Sequence, residues 1–282
     1  MKFGLVPINV GISSLNEMTD LAQLAERCGY ESVWTFEHVV VPLAYESKYP
    51  YNAEGKMGTT PDTNFVDPLI ALAHIAANTS TLRLGTGVNI LPQVNPLYLA
   101  KQAASLDFVS AGRLELGLGI GWLKEEFAAL GVPFARRGER FDEYMGAMRK
   151  VWSGAVVEHQ SEHIAWSGFQ SYPSAPGLRV VMGGNKGKIF QRTARFAQGW
   201  FAPTTDAEEL RQGVEALRAA CTEIQRDPQG VEVSCMWTGK GGQQAVTALA
   251  DAGAQRLLIP IAALGGDPIE RIEALAAEVM AD

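Results

Sequence analysis

The chain alternates strand and helix patterns from one end to the other, and this alternation narrows its fold more than any other feature. Its clearest unit covers residues 82–122. Leu82-Arg83-Leu84-Gly85-Thr86-Gly87-Val88-Asn89 reads as a strand, residues 96–110 as a helix, and Arg113-Leu114-Glu115-Leu116-Gly117-Leu118-Gly119-Ile120-Gly121-Trp122 as a second strand, which makes one βαβ unit. Short apolar runs at residues 2–7, 32–35, 178–182, 199–201, 231–236 and 256–260 supply further strands, with helical patterns between them. About eight such repeats in roughly 250 residues, joined mostly by short links, predict a parallel sheet with helices outside, closed as a (β/α)8 TIM barrel. A doubly wound open sheet would carry a glycine fingerprint after its first strand, and here that turn reads Pro7-Ile8-Asn9-Val10-Gly11. Residues 1–282 are assigned to this one barrel domain, with insertions in its loops.

Composition narrows function by exclusion. With 47% hydrophobic and 20% charged residues, the chain has the make-up of a globular protein and not of a disordered one. A net charge of −7 and a pI near 5.2 have the wrong sign for general binding to nucleic acid or anionic membrane. An anionic ligand must therefore find a local basic patch. Cys28, Cys221 and Cys235 are too scattered for a disulfide framework or zinc cluster and read as reduced core residues. No apolar run reaches the ~18 residues of a membrane span. A strand that begins at Lys2 leaves no room for a secretory leader, so a cytoplasmic protein is expected.

Residues suited to chemistry gather at the carboxyl ends of the predicted strands, the face on which parallel barrels bind ligands. Gly85, Gly87, Gly119 and Gly121 lie there, and glycine inside a strand marks a bulge or a close approach to the backbone. Gly117-Leu118-Gly119-Ile120-Gly121 has the wrong spacing for a dinucleotide fingerprint, so it reads as the small-residue floor of a ligand site. Gly183-Gly184-Asn185-Lys186-Gly187 follows an apolar strand and opens a helix at residues 188–196. Amides at such a turn, with Lys186 and Lys188 beside them, make a phosphate site. Glu37 and His38 close the second strand and open a loop at residues 39–63, long enough to predict a functional role. Histidine is the side-chain type that changes charge near neutral pH, which makes His38 the candidate proton carrier. His74, with Leu72 and Ile75 nearby, reads as a packing or surface residue. His159 and His163 have the spacing of a helical zinc pair, but Tyr172, Pro173 and the neighbouring glycines indicate a hairpin over 156–169, and no metal is assigned. After Trp122 a polar loop carries Arg136, Arg137 and Arg140 into a helix that ends near Trp152.

Trp34-Thr35-Phe36-Glu37-His38-Val39-Val40, then Gly85-Thr86-Gly87-Val88 with Asn95-Pro96 after it, then Gly117-Leu118-Gly119-Ile120-Gly121-Trp122 and Met182-Gly183-Gly184-Asn185 resemble the bacterial luciferase-like monooxygenase superfamily, in particular its F420-dependent oxidoreductase branch. The resemblance runs almost the full length in unbroken motif order. It implies a luciferase-like barrel that holds a flavin-type ring at its carboxyl face. Glu37 and His38 would meet the coenzyme, and a bulge, often a non-prolyl cis peptide, would stand behind the ring at Gly87 and Val88, with Asn89 next to it. Ile120, Gly121 and Trp122 would flank the ring, and Gly183, Gly184, Asn185, Lys186 and Gly187 would hold phosphate. F420-dependent sugar-phosphate dehydrogenases carry a glutamate where this chain has Trp122, which argues against their substrate and leaves His38 as the one obvious proton-handling group. The expected activity is hydride transfer between a deazaflavin, coenzyme F420, and a small-molecule organic substrate. Arg136, Arg137, Arg140, Lys186 and Lys188 would meet the coenzyme's acidic tail. The alternatives are an FMN-dependent monooxygenase with a partner reductase, a non-catalytic flavin-binding barrel, and a flavin-free enzyme acting on a phosphorylated metabolite. The resemblance also implies a homodimer.

Overall fold

A computed structural model describes residues 1–280; residues 281–282 of the expected domain lie outside the described residues. The strands are β1 (Lys2–Val6), β2 (Ser32–Thr35), β3 (Arg83–Thr86), β4 (Asn89–Ile90), β5 (Leu114–Gly119), β6 (Val157–Gln160), β7 (Ala165–Phe169), β8 (Arg179–Gly183), β9 (Gly199–Ala202), β10 (Glu232–Met236) and β11 (Arg256–Pro260). Most are short runs buried on both faces, as strands must be when helices cover one side and a packed interior the other. Parallel pairing runs from β1 through β2, β3, β5, β8, β9, β10 and β11, and β11 returns to β1. The result is the closed (β/α)8 TIM barrel predicted from the alternation, and β6 pairs with β7 as the expected hairpin.

The helices are α1 (Leu15–Arg27), α2 (Pro68–Asn78), α3 (Pro96–Val109), α4 (Lys124–Ala129), α5 (Arg137–Trp152), α6 (Ile189–Phe196), α7 (Ala207–Glu223), α8 (Gly242–Asp251) and α9 (Pro268–Val279). At α2, α3 and α9 the carboxylate or amide oxygen of Asp67, Asn95 or Asp267 accepts from first-turn amides, while Pro68, Pro96 or Pro268 occupies the first helical position, where no amide is missed. One element departs from expectation. The polar stretch after Trp122 contains α4, whose Glu126 and Phe127 are buried although Lys124 faces out. Among the described residues, no helix is long and apolar enough to cross a membrane.

Inside the barrel, Val6, Trp34, Val181, Phe201 and Leu258 form a buried cluster drawn from strands alone. Gly85 belongs to this packing: a methyl group there would lie 2.2 Å from Cδ2 of Trp34. At the strands' amino ends, Arg256 lies between Glu31, Glu115 and Glu232 at 2.8, 3.0 and 2.7 Å, and Arg83 meets Glu115 at 2.8 Å. At the carboxyl ends the register slips. Gly85 pairs with Glu115 and Asn89 with Leu118, so four steps along one strand face three along the other, and the extra residue is a bulge at 86–88. The Gly87-Val88 peptide within it is cis, as the resemblance implies.

Candidate functional site

The bulge opens onto a cavity of about 860 Å³ at the carboxyl ends of the strands. Gly119 and Gly183 flank Val88: a methyl on either would approach a Val88 methyl to 2.6 Å. Gly117 lies against the carbonyl of Thr86 in the same way, since a methyl there would sit 1.6 Å from that oxygen. These glycines therefore make room for the bulge, and Val88 forms the floor expected from glycine itself. Gly85 and Gly117 are not among the residues around the cavity.

Asn9 positions the strand end that carries Glu37 and His38. Fully buried in the turn after β1, it accepts from the Phe36 amide at 2.9 Å and donates to the Phe36 carbonyl at 2.9 Å and the Val66 carbonyl at 2.6 Å. Glu37 then turns toward β4 and accepts from the Asn89 side-chain amide and the Ile90 backbone amide. Burial pushes the Glu37 carboxyl up to about 7, although those two hydrogen bonds act in the opposite sense. His38 stands between Phe65 and Trp122, edge-on to both at ring separations of 5.5 and 6.2 Å. Its Nδ1 lies 3.1 Å from Oε2 of Glu126. His38 thus has a carboxylate neighbour not foreseen from the sequence: α4 brings Glu126 from a segment whose charged letters, Lys124-Glu125-Glu126, read as polar loop.

The same short helix fastens the long loop over the cavity. Glu126 accepts from the amides of Val39 and Val40, and Glu125 from those of Glu46 and Ser47. Burial works against ionisation of Glu125, but the hydrogen bonds from Ser47 and Glu46 outweigh it and hold that carboxyl down at about 2. Tyr49, Tyr51 and Met57 of the loop join Phe36, Phe65 and Trp122 on the cavity wall.

Across the cavity, Gly184 takes a φ of +127°, a conformation open to glycine, and its amide donates to the Phe201 carbonyl. Among the described residues no carbonyl or side chain accepts from the amides of Asn185, Lys186 and Gly187. Asn185 donates to Glu209 at 2.8 Å, which leaves its own oxygen buried without a partner. Glu37, His38, Gly87, Val88, Ile120, Gly121, Trp122, Gly183, Gly184, Asn185 and Lys186 all line the cavity; Asn89 lies behind Glu37 and Gly187 off the wall.

The expected cation cluster is smaller than its sequence suggests. Arg137 and Lys186 reach the cavity, but Arg140 is buried and donates to the carbonyls of Pro92 and Pro133, and Arg136 pairs with Glu139 and Glu162. Lys188 is exposed and off the wall. Arg192, which sequence reading missed, joins the wall while paired to Asp142 at 2.7 Å. Arg137 has no carboxylate partner among the described residues; burial and the neighbouring Arg140 and Arg192 guanidiniums lower its pKa. His74 bonds to Thr19 at 2.7 Å, in line with a packing role. The two hairpin histidines take separate partners, His159 stacking on Trp166 and His163 meeting Glu143.

Comparison with known proteins bears on the family and the fold. The chain is 30% identical over 209 residues to an uncharacterized protein of Mycobacterium tuberculosis, covering 73% of this chain and 74% of that one. It is 31% identical over 163 residues, 57% of this chain and 39% of the other, to the oxygenase component of the flavin-dependent trigonelline monooxygenase of Acinetobacter baylyi. The coenzyme F420 dependent tetrahydromethanopterin reductase of Methanopyrus kandleri superposes with a TM-score of 0.79 at 15% identity, over 99% of this chain and 98% of that one. The family model for luciferase-like monooxygenase matches residues 3–255, and the chain belongs to that family.

Proposed function

We propose that the protein is an oxidoreductase that binds a deazaflavin, coenzyme F420, in the carboxyl-end cavity and uses it to pass hydride to or from a small organic substrate. The observation that carries this reading is the convergence on one cavity of the Gly87-Val88 bulge, His38 and the glycine loop at 183–187. The residues present fit such a coenzyme. Val88 offers an apolar support for a flat ring, the unpartnered amides of Asn185, Lys186 and Gly187 suit a phosphate, and the buried Gln93 side-chain nitrogen on the wall has no partner among the described residues. Bound there, the coenzyme would supply two-electron hydride chemistry.

The chain's own residues do the rest. Asn9 and Glu37 hold the strand ends in place, the loop at 39–63 excludes water, and His38 holds or moves a proton at the reacting substrate atom. Arg137, with no carboxylate partner among the described residues, and Lys186 support a ligand whose negative charge extends beyond one phosphate. The same contacts also support a second reading: because Arg136 and Arg140 are engaged elsewhere, FMN, which ends at its phosphate, needs fewer cations than the chain was expected to offer.

Fluorescence titrations with both coenzymes decide between the readings. Deazaflavin is expected to bind more tightly, with an advantage that shrinks as salt rises, since each exposed ionic contact contributes only ~0–1 kcal/mol and is screened. Equal or tighter FMN binding at low salt overturns the deazaflavin reading.

A further inference from the structure

We propose that Glu126 is a positioning residue that keeps the His38 proton on Nδ1, so that Nε2, on the cavity side, is left as the lone-pair nitrogen able to accept a substrate proton. The proposal rests on His38 acting as proton carrier in the reading above. Glu126 is 2% exposed and its carboxylate has three partners: His38 Nδ1 at 3.1 Å on one oxygen, and the amides of Val39 and Val40 at 2.7 and 3.3 Å on the other. A carboxylate only accepts, so the hydrogen on the shared line belongs to the imidazole. In a neutral ring that leaves Nε2 as the lone-pair nitrogen. Phe65 and Trp122 confine the ring edge-on from two sides, and His38 itself borders the cavity.

This arrangement has a definite consequence for the reaction. Were the substrate an alcohol, His38 Nε2 would take its O–H proton while a bound deazaflavin would supply the two-electron acceptor for the C–H hydride, leaving a C=O bond. In the reverse direction the protonated ring would return that proton to the carbonyl oxygen, with the reduced coenzyme as the hydride source. With the opposite tautomer, Nε2 is already a donor and cannot accept the alcohol proton. A carboxylate that orients a histidine in this way is the logic of hydrolytic triads, where the amide replacement costs about 10⁴-fold through the wrong tautomer.

The test reads the tautomer directly, by ¹⁵N NMR on histidine-labelled protein without coenzyme. The wild-type protein is expected to show His38 protonated on Nδ1 and bare on Nε2. Glu126→Gln is expected to invert this, because its carbonyl can keep the Val39 amide while its NH2 turns toward Nδ1. Deazaflavin affinity of the variant should stay within about twofold, while turnover on an alcohol falls about 10²–10⁴-fold. A wild-type His38 protonated on Nε2, or a tautomer unchanged in Glu126→Gln, overturns the proposal. Should the variant fail to fold, the wild-type spectrum alone decides. Absence of deazaflavin binding by the wild-type protein would refute the coenzyme reading and leave the tautomer measurement standing.

Discussion

The two ends of the barrel bury charged groups in opposite ways. At the amino end, Arg256 is surrounded by Glu31, Glu115 and Glu232, and Glu115 also meets Arg83. Burial pushes the Glu115 carboxyl up, but Arg256 and Arg83 outweigh it and hold its pKa below the usual carboxylate value. At the carboxyl end, Glu37 has hydrogen bonds but no cation, and its carboxyl rises to about 7. There Arg137 lacks a carboxylate, and Gln93 and Asn185, both on the cavity wall, each keep a buried polar atom without a partner among the described residues. Buried polar groups normally find partners, so the two on the cavity wall stand out. One end of the barrel sets its buried charges against one another; the other keeps Glu37 without a cation and Arg137 without a carboxylate among the described residues.

Four substitutions break or sharpen this contrast. The largest effect is expected from Arg256→Ala, which removes the buried cation shared by three carboxylates at the amino end. Urea unfolding should register a loss of about 3–5 kcal/mol, with coenzyme affinity in the folded protein unchanged. A comparable fall in affinity would mean that the two ends are not independent. His38→Ala should do the reverse, lowering turnover roughly 10²–10⁴-fold with little change in coenzyme affinity or melting temperature. An unaltered rate on an identified substrate would make His38 structural.

Glu37→Gln tests the open end through pH. The folded-state value of about 7 lies above the ordinary 4.5, so ionising Glu37 removes stability as pH rises through that interval, and the deficit is complete above it. Relative to the wild type, the coenzyme-free variant should therefore gain up to about 3 kcal/mol between pH about 4.5 and about 8. Parallel stability curves would show that the carboxylate is not penalised. The smallest effect is expected from Gly184→Val, which forces a branched side chain onto a φ of +127° within the 183–187 loop. Coenzyme affinity should fall about tenfold, roughly 1.4 kcal/mol, while turnover at saturating coenzyme persists. Intact affinity would remove the loop from the binding site.

Much of the site was legible because its parts are local. Glu37 and His38 lie at a strand end, the 183–187 loop joins a strand to a helix, and the Gly87-Val88 bulge sits inside a recognisable motif, so each could be located from its neighbours in sequence. The partners were not legible. Glu126 is 88 residues from His38 and in a charged run, and nothing in that run tells a solvated face from a carboxylate that is buried and hydrogen-bonded. The glycines misled for a related reason: a missing side chain shows that something comes close, and only the fold reveals that it is Trp34 at Gly85 and Val88 at Gly119 and Gly183.

Sequence by itself determined the closed parallel barrel, because strand periodicity, Asx-Pro helix starts and short links are properties of consecutive residues. It also pointed to the end that holds the cavity, since ligand sites in such barrels follow the carboxyl ends of the strands. Tertiary structure alone decided which charges were already used. Arg136, Arg137 and Arg140 lie within five residues, yet one pairs with Glu162, one faces the cavity and one is buried against backbone carbonyls. Helical geometry points neighbouring side chains in different directions, and what each then meets is contributed by segments far away in the chain.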